Sequence, residues 1–126
     1  MNLPFALMIG AAGFAGTLAR YASGVWVSSS FAAPGLATLT VNVLGSTLIG
    51  FLHGYGAGRM DPQIILILTT GFLGGYTTFS AFSLETILFL QEGRWWAAAL
   101  YVSSMIVLGL LAAYSGLIVS RSLFPT

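Results

Sequence analysis

Lysine and cysteine are absent from this chain, and its other ionisable residues are few: four arginines (Arg20, Arg59, Arg94, Arg121), three carboxylates (Asp61, Glu85, Glu92) and one histidine, His53. Without cysteine there is no disulfide and no thiolate metal site. One histidine and three scattered carboxylates supply neither a nucleophile–base arrangement nor a carboxylate pair at working distance, so the sequence predicts no enzyme. A formal net charge of +1 leaves no basic patch to release counterions from phosphate, which excludes a nucleic-acid partner. Charged residues make up 6% of the 126 positions, against roughly 25% in soluble domains. A water-facing surface cannot be built from so few. With 57% hydrophobic residues and a mean hydropathy of +0.94, most of the surface must meet lipid. The opening Met1-Asn2-Leu3-Pro4 lacks the basic region of a signal peptide, so the whole chain is expected to be mature protein.

What the chain does have is long apolar runs. A helix needs about 20 such residues to cross a hydrocarbon core of about 30 Å. Four stretches qualify, over about 3–27, 36–57, 64–90 and 95–120. The first connection is predicted at Ser28-Ser29-Ser30 with Pro34-Gly35, the second at residues 58–62 and the third at Gln91-Glu92-Gly93-Arg94. Trp26, Trp95 and Trp96 fall at span ends, where indole rings favour the headgroup level. The fold class expected is therefore an all-α integral membrane domain over 1–126, an up-and-down bundle with both termini on one side. Arg59 and Arg121 then share the side of the termini, and Arg94 and Arg20 the other. This two-against-two distribution gives the positive-inside rule no preference. Either Arg20 is misplaced, or the chain inserts both ways and assembles as an antiparallel homodimer of dual topology.

Polar side chains within the spans need a partner or a task. In the second span Thr38, Asn42 and Ser46 recur every four residues and share one helical face. They could be interhelical glue or a polar lining. His53, nearer the end of that span, reads as an interfacial histidine. The third span reads Gly71-Phe72-Leu73-Gly74-Gly75-Tyr76-Thr77-Thr78-Phe79-Ser80-Ala81-Phe82-Ser83. Two adjacent glycines and two threonines make a poor helix interior, so a break is expected here at mid-membrane. Freed carbonyls could hold a cation, the restarted helix could favour an anion, or the glycines could serve close packing. Phe79 and Phe82 share a face after the break. Their positive ring edges could line an anion path, although packing alone is the simpler account of two phenylalanines. In the fourth span Tyr101, Ser104 or Met105, and Gly109 can form one stripe. Arg20 and Glu85 could line a water-filled vestibule or snorkel to the interface.

The run from Gly71 to Glu85, the segment Thr38-Leu39-Thr40-Val41-Asn42 with Gly45, and Arg20 together resemble the Fluc (CrcB) family of fluoride channels over essentially the whole chain. The resemblance implies a dual-topology antiparallel homodimer with two fluoride pores, in a bacterial inner membrane. It implies a structural Na+ on the dimer axis, held by the backbone carbonyls of Gly74 and Thr77 from each subunit. It assigns Asn42, Phe79, Phe82 and Tyr101 to the pore, sets Thr38 and Ser80 near it, and matches Glu85 to the acidic residue that follows the motif. Where some members carry serines on the fourth helix, this chain has Met105 and Gly109, so Ser104 or a second-span hydroxyl is expected to substitute. Two other readings stay open. A proton-coupled small multidrug exporter would need a carboxylate in the first span, where the only charge is Arg20. A structural subunit would use the glycines and hydroxyls as packing glue and pass no ions.

Overall fold

A computed structural model describes residues 2–125; Met1, where the mature-chain expectation begins, and Thr126 lie outside the described residues. The chain runs as α1 (Leu3–Ser30), α2 (Leu36–Gly56), a composite third span and α6 (Trp95–Leu123). The third span is built from α3 (Pro62–Leu66), a π-helical segment (Ile67–Leu73), α4 (Gly74–Tyr76) and α5 (Phe79–Gln91). Among the described residues, four helical spans, Leu3–Ser30, Leu36–Gly56, Pro62–Gln91 and Trp95–Leu123, are long and apolar enough to cross a membrane.

The first span is longer than its sequence suggests. Ser28–Ser30, predicted as loop, complete α1. Ser29 Oγ donates to the Trp26 carbonyl at 2.9 Å, and the Phe31 amide closes the last turn on Val27. A serine at a helix end satisfies itself against the backbone, so its polarity does not end the helix. Arg20 is consequently ten residues before Ser30, about 15 Å along the axis at 1.5 Å per residue. It lies deep in the bundle, not near the end of its span.

The turns between spans contain Gly35, Gly58 and Gly93 at φ of 80°, 74° and 70°, a left-handed geometry that glycine adopts without steric cost. Asp61 caps the third span by accepting from the Gln63 amide at 2.7 Å, with Pro62 at the first helical position, where its missing N–H costs nothing. Arg59 Nη2 donates to the Pro125 carbonyl at 2.7 Å, and the Phe124 ring stands edge-on to Tyr55 at 4.8 Å. These contacts fix the second turn and the C-terminus at the same end of the bundle, as the up-and-down reading requires.

Helix α2 packs mainly against α6, and α1 against the π-helical segment and α4. The α1 backbone comes so close to the third span that a Cβ at Gly75 would collide with the Gly13 carbonyl. Small residues replace the hydrophobic effect here, because lipid tails are as apolar as the side chains. The core cluster, Phe82, Phe89, Ala98 and Tyr101, joins α5 to α6.

Candidate ion pathway at the broken third span

The break expected near Gly74–Thr78 is present. Thr77 (φ −89°, ψ 161°) and Thr78 (φ −151°, ψ 118°) are extended. In a continuous helix the Thr78 amide would donate to the Gly74 carbonyl; here it donates to Asn42 Oδ1 at 2.8 Å. The Thr78 carbonyl in turn accepts from Asn42 Nδ2 at 2.9 Å. The Asn42 side chain thus takes the place of a neighbouring peptide, satisfying both backbone groups of one residue at a depth where neither could go unpaired. Arg20 Nη1 donates to the Thr77 carbonyl at 3.2 Å, so α1 and α2 each supply one side chain to the exposed backbone. The Thr78 side chain caps α5 by accepting from the Ala81 amide at 3.2 Å. Thr78→Ala is expected to lower stability by about 1 kcal/mol and Thr78→Ser to restore it, read as thermal unfolding midpoints in detergent.

Beside the break lies a cavity of about 370 Å³ whose lining includes Asn42, Ser46, Phe79, Phe82, Met105 and Gly109. It brings together five of the site residues expected from sequence, Asn42, Gly74, Thr77, Phe79 and Phe82. The two phenylalanine rings are tilted at 60° with centroids 5.5 Å apart. Phe82 is buried, while Phe79 is 79% exposed on the outer face of the bundle. Asn42 Nδ2 also points toward Met105 Sδ at 3.5 Å, a weak acceptor.

The other residues expected along the pathway line neighbouring cavities. Arg20, Thr38 and Ser80 share one of about 340 Å³. Tyr101 and Ser104 share another of about 300 Å³ nearer the third turn, with Phe89 and Arg94. Glu85 joins the second and third of these spaces: Thr38 Oγ1 donates to one carboxylate oxygen at 2.7 Å, and the Tyr101 hydroxyl donates to the other. An aromatic column connects the first cavity to the third, with Phe82 and Tyr101 at 5.4 Å, Tyr101 and Phe89 at 5.6 Å, and the Arg94 guanidinium 4.7 Å over the Phe89 ring. Among the described residues the one ion pair is the exposed Arg94–Glu92 contact, so Arg20 and Glu85 do not neutralise each other. In Glu85→Gln one of the two hydroxyls loses its acceptor, and stability should fall by about 1–3 kcal/mol, measured by thermal unfolding.

Sequence reasoning did not find the π-helical turn, the pairing of Asn42 with Thr78, or Glu85 as the shared acceptor of Thr38 and Tyr101. The four-residue spacing of Thr38 and Asn42 was the only signal for the last two. No cluster of three or more His, Asp or Glu side chains exists among the described residues. A bound cation would therefore rest on backbone oxygen. The Gly74 carbonyl has lost its helical donor, and the Thr77 carbonyl keeps a lone pair beyond the one Arg20 uses. These hard oxygens suit a hard alkali cation.

Four spans, a break held open at membrane depth, and amide and aromatic groups converging on a cavity beside it define a multi-pass membrane protein with a polar site inside its bundle. The family model described as "CrcB-like protein, Camphor Resistance (CrcB)" matches residues 7–117. The chain is 40% identical over 117 residues to a protein of Chlorobium chlorochromatii (strain CaD3), covering 91% of each. It is 36% identical over 125 residues to one of a Nitratiruptor species, covering 98% of each. It is 41% identical over 121 residues to one of Rhizobium meliloti (strain 1021), covering 93% of this chain and 96% of that protein. All three relatives are named "Fluoride-specific ion channel FluC". The chain belongs to the CrcB-like family.

Proposed function

We propose that this protein is a fluoride-selective channel that lets fluoride leave the cell passively, down its electrochemical gradient, and so protects the cell from fluoride. It is an ion channel and not an enzyme. The observation that carries this reading is the cavity where the Asn42 amide, clipped to the broken span, meets the rings of Phe79 and Phe82, in a chain whose near-full-length relatives carry the fluoride-channel name. Fluoride is small and strongly hydrated, so a pathway must replace water's hydrogen bonds. Amide and hydroxyl donors do this, and aromatic edges add contact weak enough to release the ion. Thr38, Ser80, Tyr101 and Ser104 extend the polar path into the neighbouring cavities, with Arg20 beside the break and Glu85 between Thr38 and Tyr101. Arg20 raises the local anion concentration. A proton-coupled exporter would need a carboxylate in α1, which has none. In a bacterial strain that has lost its own fluoride export, expression of this chain should restore growth in fluoride. No gain from well-inserted protein would count against the reading.

The working unit in this proposal is an antiparallel homodimer in the bacterial inner membrane. Its support is physical: Gly74, Phe79 and Ser80 are exposed on the outside of the bundle beside the break, and irregular backbone does not face lipid at this depth. A second copy laid over the break would cover it. With Arg20 drawn into the bundle, the turns and termini carry Arg59 and Arg121 at one end and Arg94 at the other, a bias of a single arginine that orients the chain weakly. Because the chain has no cysteine, one introduced at the exposed Ala57 in the second turn should react with impermeant reagent from both sides of the membrane; reaction from one side only would defeat dual topology. Paired across the two copies, the Gly74 and Thr77 carbonyls would hold a Na+, whose charge would offset the carbonyl dipoles left by the break. Replacing Na+ with N-methylglucamine should lower the dimer's thermal stability, and an unchanged midpoint would remove the ion from the account.

A further inference from the structure

Four hydroxyl-bearing residues line the cavity beside the break: Ser46, Thr69, Thr77 and Thr78. Three are already committed. Thr69 Oγ1 donates to the Ile65 carbonyl at 2.8 Å, and Thr77 Oγ1 to the Leu73 carbonyl at 2.9 Å. Thr78 Oγ1 accepts from Ala81 and shares a hydrogen bond with Ser80 Oγ at 3.2 Å. Ser46 has no hydrogen-bond partner among the described residues, although the adjacent Thr47 folds back on the Val43 carbonyl at 3.1 Å. The facing helix offers it none: a Cβ added at Gly109 would stop 3.7 Å from Ser46 Oγ, at ordinary contact distance, and Met105 brings only a thioether.

One turn away on the same face of α2 is Asn42, close enough for both side chains to reach one small ion. One Nδ2 hydrogen of Asn42 is spent on the Thr78 carbonyl, and the other is directed at Met105 Sδ at 3.5 Å. Two uncommitted or weakly committed donors therefore converge on a cavity with no carboxylate in its lining. Left unpaired in a low-dielectric site, such donors carry a desolvation cost that an anion would relieve.

We propose that Ser46 Oγ–H and the second Nδ2–H of Asn42 form an anion-binding site in this cavity, with the Met105 thioether as the weak acceptor that the anion displaces. The proposal rests on the fluoride-channel reading and adds to it the residue that holds the ion and the group that gives way. It makes Ser46, and not a residue of α6, the hydroxyl donor beside Phe79 and Phe82.

The test is fluoride efflux from liposomes containing the purified chain, compared among wild type, Ser46→Ala, and Ser46→Ala combined with Gly109→Ser. Alanine is the better helix former, so the first variant should fold. Loss of one hydrogen bond to a charged ion predicts a fall in flux of about tenfold or more for Ser46→Ala. Gly109→Ser places a hydroxyl from α6 against the same space and should recover most of that loss. Undiminished flux in Ser46→Ala, or a loss that Gly109→Ser leaves in place, would overturn the site. A wild-type chain that releases no fluoride would defeat the channel reading itself, which separates the two failures.

Discussion

Asn42→Asp should cut fluoride flux by about a hundredfold or more, equivalent to about 2.7 kcal/mol at the barrier. The substitution keeps size and shape. One carboxylate oxygen can still accept from the Thr78 amide, as Oδ1 now does at 2.8 Å. The other would face the Thr78 carbonyl, where Nδ2 now donates at 2.9 Å, and two oxygens would oppose each other in place of a hydrogen bond. The donor toward the cavity disappears, and a negative charge takes its place in the path of an anion. Flux and thermal unfolding should be read together. A folded protein with much-reduced flux is the expected result. A stable variant that conducts like the wild type would remove Asn42 from the pathway and leave it only a clip for the broken helix.

Gly116→Ala and Gly50→Ala should each destabilise the protein by about 1–3 kcal/mol through overpacking. A Cβ at Gly50 would overlap the Ala113 carbonyl on α6, and one at Gly116 would overlap the Thr47 carbonyl on α2. Both obstacles are backbone, so neither can swing aside, and the two helices must separate. The same pair of helices carries Asn42 and Met105 on one side of the cavity, so separation should also widen the pathway. Gly10→Ala is the comparison: nothing lies within 4 Å of an added Cβ there, and alanine is the better helix residue by about 1 kcal/mol. Heating in detergent, followed by size-exclusion chromatography, should show early loss of monodisperse protein for the first two variants and none for the third.

Much of this arrangement was legible in the sequence, for identifiable reasons. Apolar runs of membrane length gave the four spans, because lipid leaves the chain few alternatives to the helix. Gly74-Gly75 and Thr77-Thr78 marked the break because two poor helix formers adjoin two residues whose hydroxyls can serve the backbone. The π-helical turn at Ile67–Leu73 left no mark. A shift of the hydrogen-bond ladder by one residue requires no particular side chain, and the turn precedes the glycines that drew attention. The depth of Arg20 was hidden by Ser28–Ser30, whose polarity suggested a loop. Glu85 could be seen as a charge within a span but not as the acceptor of Thr38 and Tyr101, which lie 47 and 16 residues away in sequence. Helical periodicity groups residues along one helix; it does not say which faces meet.

The cavity beside the break shows the same division. The four-residue repeat of Thr38, Asn42 and Ser46 placed all three on one face of α2, and that is where they lie. What each of them touches depends on the third span and α6. Thr38 meets Glu85, Asn42 meets Thr78, and Ser46 meets open space against Gly109. One sequence pattern therefore resolves into three different roles.

Fluoride release from liposomes that contain only this purified protein, followed with a fluoride electrode beside a chloride control, tests the central claim most directly. The account predicts rapid fluoride release that does not depend on a proton gradient, with no accompanying chloride release. Correctly folded protein that releases neither ion, or both alike, would contradict it.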